Sequence, residues 1–294
     1  MKVLSLFDGV GGGALALKSA GFSDFEYHSS EIDKFGIQVS GTKNPESIQL
    51  GDVTKVKGGD YDLVLAGSPC QGFSYAGRGL NFADPRSSLF FEFVRILNET
   101  RAINPNVKFF LENVNMRDQW RDQITAILGV EPLKVCASTV TPFKRNRCYW
   151  FNWEKPPFPE SSCGGFFELT GGLPCSIVGR PLDPSGNRRD GKGFPTVQCI
   201  EFSVGDSGRC VTTVSKDSCV YTSPCLLAGR GRIPDAYGSS RGLWRDLTIE
   251  ELEAGHGYPK GYFNGFSESS ARKAIGNGWS LPVVSRIFGN IRTI

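Results

Sequence analysis

Histidine is nearly absent from this chain: only His28 and His256 occur among 294 residues. The nine cysteines include no Cys-x-x-Cys pair. Together these scarcities remove the usual ligand spacing of a structural zinc site. Nine is also an odd number, so a fully paired disulfide framework is excluded, and at least one thiol is expected to be free as inert core or as a nucleophile. No run of about 18 apolar residues occurs, so no membrane-spanning helix is expected. Met1 to Phe7 meets Asp8 and a glycine run too soon to be a signal peptide's apolar region. A strong charge of one sign is missing too, with a formal net charge of only +3. Contact with nucleic acid would have to come from a local patch. A soluble, reducing, intracellular setting fits these features.

What is present is enough apolar sequence for a core: 39% of residues are hydrophobic, which suits one or two domains. The first half alternates strand and helix patterns. Strands are expected over 3–7, 25–30, 61–66 and 107–111, with a final pair over 134–140 and 148–153. Helices are expected over 12–20, 32–39, 89–97 and 118–128. This alternation predicts an α/β fold, a mostly parallel sheet with helices on both faces. From Glu154 to about Tyr237 the texture turns to Gly, Pro, Ser and short β-prone runs, as in a small irregular β-rich domain. Helical pattern returns at 247–254, where Thr248 and Glu251 have capping-box spacing, and again at 267–274 and 283–291. The expected organisation is a catalytic domain over 1–154, a second domain over 155–243, and a return to the first domain over 244–294.

Several short motifs carry chemistry. Phe7-Asp8-Gly9-Val10-Gly11-Gly12 follows the first strand. Glycines there let the backbone approach a ligand, and the next helix presents its N-terminal N–H groups. Glu31, about 20 residues on, suits ribose hydroxyls, and Asp52 suits an adenine amino group. A tight turn with two surface acids explains the same residues, and nothing here separates a nicotinamide cofactor from S-adenosylmethionine. Pro69-Cys70-Gln71-Gly72-Phe73-Ser74 follows the next major strand. A cysteine on a loop at a strand's carboxyl end is accessible and open to activation, although an isolated cysteine is more often a small buried hydrophobe. Glu112 closes the strand after that, facing the same crevice, where a partly desolvated carboxyl can stay protonated and hydrogen-bond a ring nitrogen. Arg145 and Arg147 alternate along an extended segment and so share a face. Taken singly, the acid and the arginines read as solvated side chains.

In this order the pieces resemble the DNA cytosine-5 methyltransferase family. The matching segments also include Glu31-Ile32-Asp33, Gly51-Asp52-Val53, Glu112-Asn113-Val114, Arg145-Asn146-Arg147, Gly255-His256-Gly257-Tyr258-Pro259 and Gly276-Asn277-Gly278-Trp279-Ser280. The resemblance spans nearly the whole chain outside about 155–240. Trp279-Ser280-Leu281-Pro282 and Cys148-Tyr149-Trp150-Phe151-Asn152 look like the animal de novo branch, while the compact length suits a bacterial or phage enzyme.

The resemblance implies a Rossmann-like, S-adenosylmethionine-dependent methyltransferase fold whose 155–243 region is a target recognition domain. It implies that Phe7, Gly9, Gly11, Glu31, Ile32, Asp52, Val53, Pro69, Leu89 and Asn277 bind S-adenosylmethionine, which leaves as S-adenosylhomocysteine; no metal is implied. Cys70 would be the nucleophile toward cytosine C6, Glu112 the partner of N3, and Arg147, with Arg145 behind it, the contact to O2. The base would be flipped out of double-stranded DNA. Gln71, Ser74, Arg78 and Arg86 would contact DNA, with loop 75–88 closing over it, and Arg230 and Arg232 would supply phosphate contacts in the recognition domain, as would Arg241 and Arg245. The cysteines of that domain are expected to be packing thiols. Asn277 favours ordinary S-adenosylmethionine over an altered donor. Phe143 stands where the family usually has Gln, so one polar contact is expected to be missing, and Tyr258-Pro259 replaces the usual Phe-Pro. Alternatives are a tRNA cytosine-5 methyltransferase of the same fold and a non-catalytic DNA-binding regulatory homologue. The loop Gln71-Gly72-Phe73-Ser74 looks like the DNA branch, and retention of Cys70, Glu112, Arg147 and the glycine turn argues activity. Expected localisation is cytoplasmic for a bacterial or phage source, nuclear for a eukaryotic one. Monomer and homodimer are both open, as are the recognition sequence and a cognate restriction enzyme.

Overall fold

The computed structural model describes residues 1–68, 88–181, 196–202, 207–208, 210, 219–221, 233–234 and 244–291, with backbone alone at 88, 176–181, 196–202, 221, 233–234 and 244. It divides into two compact units. The first comprises Met1–Cys136, Asn146–Phe158 and Gly278–Ile294; the second comprises Ala137–Arg145 and Pro159–Asn277.

The first unit holds a seven-stranded sheet. Its strands are β1 (Lys2–Leu6), β2 (Glu26–Ser30), β3 (Ile48–Gln49), β4 (Leu63–Gly67), β5 (Lys108–Val114), β6 (Leu133–Cys136) and β7 (Asn146–Phe151). Their spatial order is β3-β2-β1-β4-β5-β7-β6. The first five run parallel, whereas β7 is antiparallel to both β5 and β6. Order reverses at β1 and β4, the switch point where open α/β sheets bind ligands. Helices α1 (Gly12–Ser19), α2 (Lys34–Lys43), α3 (Ser88–Ile103) and α4 (Asp118–Leu128) intervene between strands.

Strand alternation explains why both sheet faces are covered. Leu4, Leu6, Val64, Ala66, Phe109 and Leu111 enter one core with Phe90, Phe93, Ile96 and Leu97 of α3 and Ile124 and Leu128 of α4. Phe110 points the other way, with its ring centroid 5.1 Å from that of Phe288 in α8 (Leu281–Phe288). These strands are apolar on both faces, as a buried parallel sheet requires.

The second unit contains a five-stranded sheet in the order β11-β9-β8-β10-β12, from β8 (Leu173–Pro181), β9 (Thr196–Phe202), β10 (Cys219–Tyr221), β11 (Ile233–Pro234) and β12 (Trp244–Asp246). It also holds α5 (Phe166–Thr170), α6 (Ile249–His256) and α7 (Glu268–Asn277). The capping box forms at α6: Thr248 accepts from the Glu251 N–H and Glu251 accepts from the Thr248 N–H.

Two details depart from the sequence expectation. The strand expected over 134–140 stops at Cys136 and becomes a 3-10 turn, Ala137–Thr139. The two-residue β3 carried no pattern because both its residues are exposed. Of the chain's last elements, β12, α6 and α7 belong to the second unit, and Gly278–Ile294 belongs to the first.

Candidate active site

The glycine turn after β1 is built on left-handed backbone. Phe7, Gly9 and Gly11 have φ of 57°, 59° and 84°. Glycine holds such angles at little cost, but for Phe7 the conformation costs on the order of 1–2 kcal/mol, so its surroundings must enforce it. Glu31, just beyond β2, faces the turn. Its Oε2 accepts from the Gly9 N–H at 2.7 Å, and its Oε1 accepts from the N–H groups of Ile32 and Asp33, each at 2.8 Å. Gly36 in α2 packs so closely that an added Cβ would lie 2.7 Å from the Gly9 carbonyl oxygen.

Ile32 is 72% exposed, a large apolar side chain left uncovered beside these polar groups. Asp52 is partly exposed, and its carboxylate accepts from the Thr54 N–H at 3.0 Å, which holds its pKa below the ordinary value. Ser30 donates to the Gly51 carbonyl at 2.7 Å and so ties the Asp52 segment to the end of β2. Val53 is buried beneath it, and Leu89, at the start of α3, packs on the main core. A recessed turn with free space at Gly9, a carboxylate, an exposed aliphatic face and a second acid fit a nucleoside with a polar tail.

The second cluster lies at the carboxyl ends of β4 and β5. Gly67 pairs with Glu112 across the parallel ladder, so the segment leading to Cys70 leaves the sheet beside Glu112. On the antiparallel side Glu112 pairs with Tyr149 and Val114 with Arg147, which makes Glu112 and Arg147 diagonal neighbours on one face. The Arg147 Nε lies 2.8 Å from the Glu112 Oε1. That Oε1 is buried and the N–H is not aligned with it, so the contact is an ion pair rather than a directed hydrogen bond. Glu112 is 8% exposed. An acid and a guanidinium held together at low exposure are a polar pair suited to the edge of a flat heterocycle.

Arg145 belongs to the second unit, buried, with Nη1 donating to the Gly276 carbonyl at 2.9 Å and Nη2 to the Asn277 carbonyl at 3.5 Å. Those carbonyls end α7 and have no partner within the helix, so the arginine serves as its C-terminal cap. Arg145→Ala is expected to lower stability by about 1–3 kcal/mol, chiefly by stripping the partner from the buried Gly276 carbonyl. Urea denaturation checks this, and an unchanged midpoint would contradict it. Arg245 is engaged as well: both Nη atoms reach Glu251, at 2.8 and 2.7 Å, and Nη2 donates to the Thr170 carbonyl at 2.9 Å.

Sequence reasoning missed two supports. Asn113 is buried, donating from Nδ2 to Ser68 Oγ at 3.0 Å and accepting from the Val114 N–H at 2.8 Å. It thus braces the residue just before Pro69. The Trp279 indole lies against Gly67, where an added Cβ would sit 2.6 Å from Nε1. Their only sequence signal was membership of the matching segments. Pro69, Cys70, Gln71, Ser74, Arg78, Arg86, Arg230 and Arg232 lie outside the described residues. Among the described residues, no group of three or more His, Cys, Asp or Glu is placed to hold a metal, and no helix is long and apolar enough to cross a membrane.

Comparison with known proteins finds methyltransferases. The model of the family described as C-5 cytosine-specific DNA methylase matches residues 1–123. The type II methyltransferase M1.ScrFI of Lactococcus lactis subsp. cremoris is 29% identical, over 97% of this chain and 76% of that protein. M.NlaX of Neisseria lactamica, also a type II methyltransferase, is 28% identical over 97% and 94%. Over residues 1–123 this chain matches the cytosine-5 DNA methylase family, and over 97% of its length it is similar to type II methyltransferases. Among solved structures, a variant of Spodoptera frugiperda DNMT2 superposes with a TM-score of 0.66 at 19% identity, covering 97% of each chain. A prophage-encoded putative DNA modification methyltransferase of E. coli gives 0.61 at 18% identity, covering 99% of this chain and 98% of that one. At such identities the structures establish the fold, the Rossmann-like methyltransferase fold with its mostly parallel sheet. In this fold the glycine turn with Glu31 falls at the switch point, and the Glu112–Arg147 pair falls at the neighbouring strand ends.

Proposed function

We propose that this protein methylates C5 of cytosine in double-stranded DNA through a covalent bond between Cys70 and C6. The observation that carries this reading is the Glu112–Arg147 pair, 2.8 Å apart, beside the strand end that leads to Cys70. Support for the cofactor comes from the turn at Gly9 with Glu31, exposed Ile32 and Asp52, which suit the ribose, adenine face and adenine edge of S-adenosylmethionine. When bound, S-adenosylmethionine supplies a methyl group on an electrophilic sulfonium and leaves as S-adenosylhomocysteine.

The chain's own residues make C5 reactive. The Cys70 thiolate adds to C6 and pushes an electron pair into the ring, giving C5 enamine character. Glu112 holds a proton at N3, and Arg147 donates to O2, so the developing charge is stabilised. After methylation C5 carries both methyl and hydrogen. Loss of that proton to a base expels the thiolate and restores the aromatic ring. An intact duplex would keep C6 from the thiol, so the cytosine must leave the stack. A cytoplasmic setting belongs to the same reading and is supported by relatives from bacteria.

Bisulfite sequencing of DNA incubated with the protein and S-adenosylmethionine tests this. The expected result is protection of cytosines in one sequence context, with no protection when the cofactor is withheld. Parallel reactions on DNA and tRNA with labelled cofactor separate the RNA alternative, and label in tRNA alone would overturn the DNA assignment.

A further inference from the structure

Asp8 lies inside the glycine turn, yet it is turned inward and 9% exposed. Its Oδ1 accepts from the Tyr27 hydroxyl at 2.5 Å, and its Oδ2 accepts from Ser40 Oγ at 3.4 Å. Its backbone N–H donates to the Ser30 carbonyl at 3.1 Å, and its carbonyl accepts from the Gly11 N–H at 3.2 Å. One residue thus fastens the turn to β2 through Tyr27 and Ser30 and to α2 through Ser40. Its neighbours on either side, Phe7 and Gly9, both have left-handed backbone, and the Gly9 N–H meets Glu31. The Tyr27 hydroxyl is equally committed: a Cβ on Gly13 would come within 2.3 Å of it, so α1 must carry glycine there.

We propose that Asp8 and Tyr27 are the positioning pair of the cofactor turn, a buried carboxylate–phenol bond that sets where the Gly9 N–H and Glu31 meet the ligand. This rests on the reading of the turn as the S-adenosylmethionine site. The carboxylate has no solvent to support its charge. Burial pushes its pKa up from 3.8 to about 6; the nearby Glu31 charge adds to this, and the bonds from Tyr27 and Ser40 oppose it. Tyr27 is itself pushed well above its ordinary value, first by burial and then by the Asp8 charge, so it stays a donor throughout the working range. Protonating Asp8 removes the charge that makes the phenol bond strong. The turn is therefore held firmly above pH 6 and more loosely below it.

The test is binding of S-adenosylhomocysteine by calorimetry between pH 5 and 8, with kinetics at saturating DNA. For wild type, affinity is expected to fall about tenfold from the high-pH to the low-pH plateau, with its midpoint near 6. Asp8→Asn keeps shape and acceptor but carries no charge, so it should hold the low-pH affinity at every pH. Tyr27→Phe should weaken binding by about tenfold at pH 8. Both should raise KM for S-adenosylmethionine while kcat at saturation stays within about twofold, a split that general damage to the fold would not give. Either variant keeping wild-type affinity at pH 8, or a midpoint near 6 persisting in Asp8→Asn, overturns the proposal. If Tyr27→Phe does not fold, the Asp8→Asn pH profile decides alone. Glu31→Gln is the control: if it loses binding while Asp8→Asn keeps it, only the positioning pair fails. If wild type binds no S-adenosylhomocysteine, the cofactor assignment fails and the pair with it.

Discussion

Replacing Cys70 with serine is expected to abolish methyl transfer while leaving DNA binding intact. The asymmetry follows from what the thiol does. A thiolate is populated near neutral pH and is intrinsically nucleophilic, whereas a serine hydroxyl is neither. Without addition at C6, C5 keeps its aromatic electron distribution and does not attack a methyl sulfonium. Loss should be several orders of magnitude, as for other enzymes stripped of a covalent nucleophile. Affinity for DNA comes mainly from phosphate contacts and should hold, while falling with salt for both proteins. Methyl transfer with labelled cofactor and a mobility-shift assay at fixed salt check the two halves. Duplex DNA carrying 5-fluorocytosine adds a direct readout. Fluorine replaces the hydrogen that must leave, so wild type should remain covalently attached and Cys70→Ser should not. Undiminished activity of the serine variant would refute the covalent route.

The parts of this site that were legible in the sequence are those encoded by neighbours along the chain. The glycine turn, Glu31 at the next strand end and Glu112 at the end of β5 each follow a strand pattern read over a few residues. The illegible parts are pairings across the fold. Asp8 and Tyr27 are 19 residues apart, and Asn113 and Ser68 are 45 apart. No local periodicity reports such a hydrogen bond. Burial of Asp8 was equally invisible, because an aspartate beside glycines reads as a surface turn.

Glycine misled in the second unit for a physical reason. Gly165 and Gly171 lie in the Gly-, Pro- and Ser-rich stretch that suggests an irregular β-rich domain, yet both adopt left-handed backbone, with φ of 88° and 68°, and flank the five-residue helix α5 as its caps. A glycine-rich stretch can thus be punctuation for short helices. Arg245 shows the converse limit. Its charge suggested phosphate contact, but its guanidinium is bound bidentately by Glu251. Counting basic residues cannot distinguish a cation available to DNA from one already paired.

Restoring the glutamine usual in this family at position 143 is expected to destabilise the protein rather than improve it. Taken as sequence, Phe143 looked like a lost polar contact. In the fold it is 1% exposed and central to an aromatic cluster. Its ring stacks on His256 with centroids 5.3 Å apart and meets Phe166 edge-on at 5.7 Å. Two glycines make room for it. A Cβ on Gly255 would lie 2.0 Å from the ring, and one on Gly208 would lie 2.7 Å from it. The surroundings are thus shaped to a flat apolar side chain. Phe143→Gln would remove the ring contacts and place an amide among Phe166, His256 and two backbone faces. Removing a buried phenylalanine costs about 3–5 kcal/mol, and a buried amide lacking partners adds about 1–3 kcal/mol where it cannot reach water. A loss of at least about 3 kcal/mol is therefore expected in urea denaturation followed by circular dichroism. Phe143→Leu, which keeps apolar volume, should lose less. Equal midpoints for wild type and Phe143→Gln would show that the glycine-lined space accepts an amide, and that the aromatic cluster is not what holds this unit together.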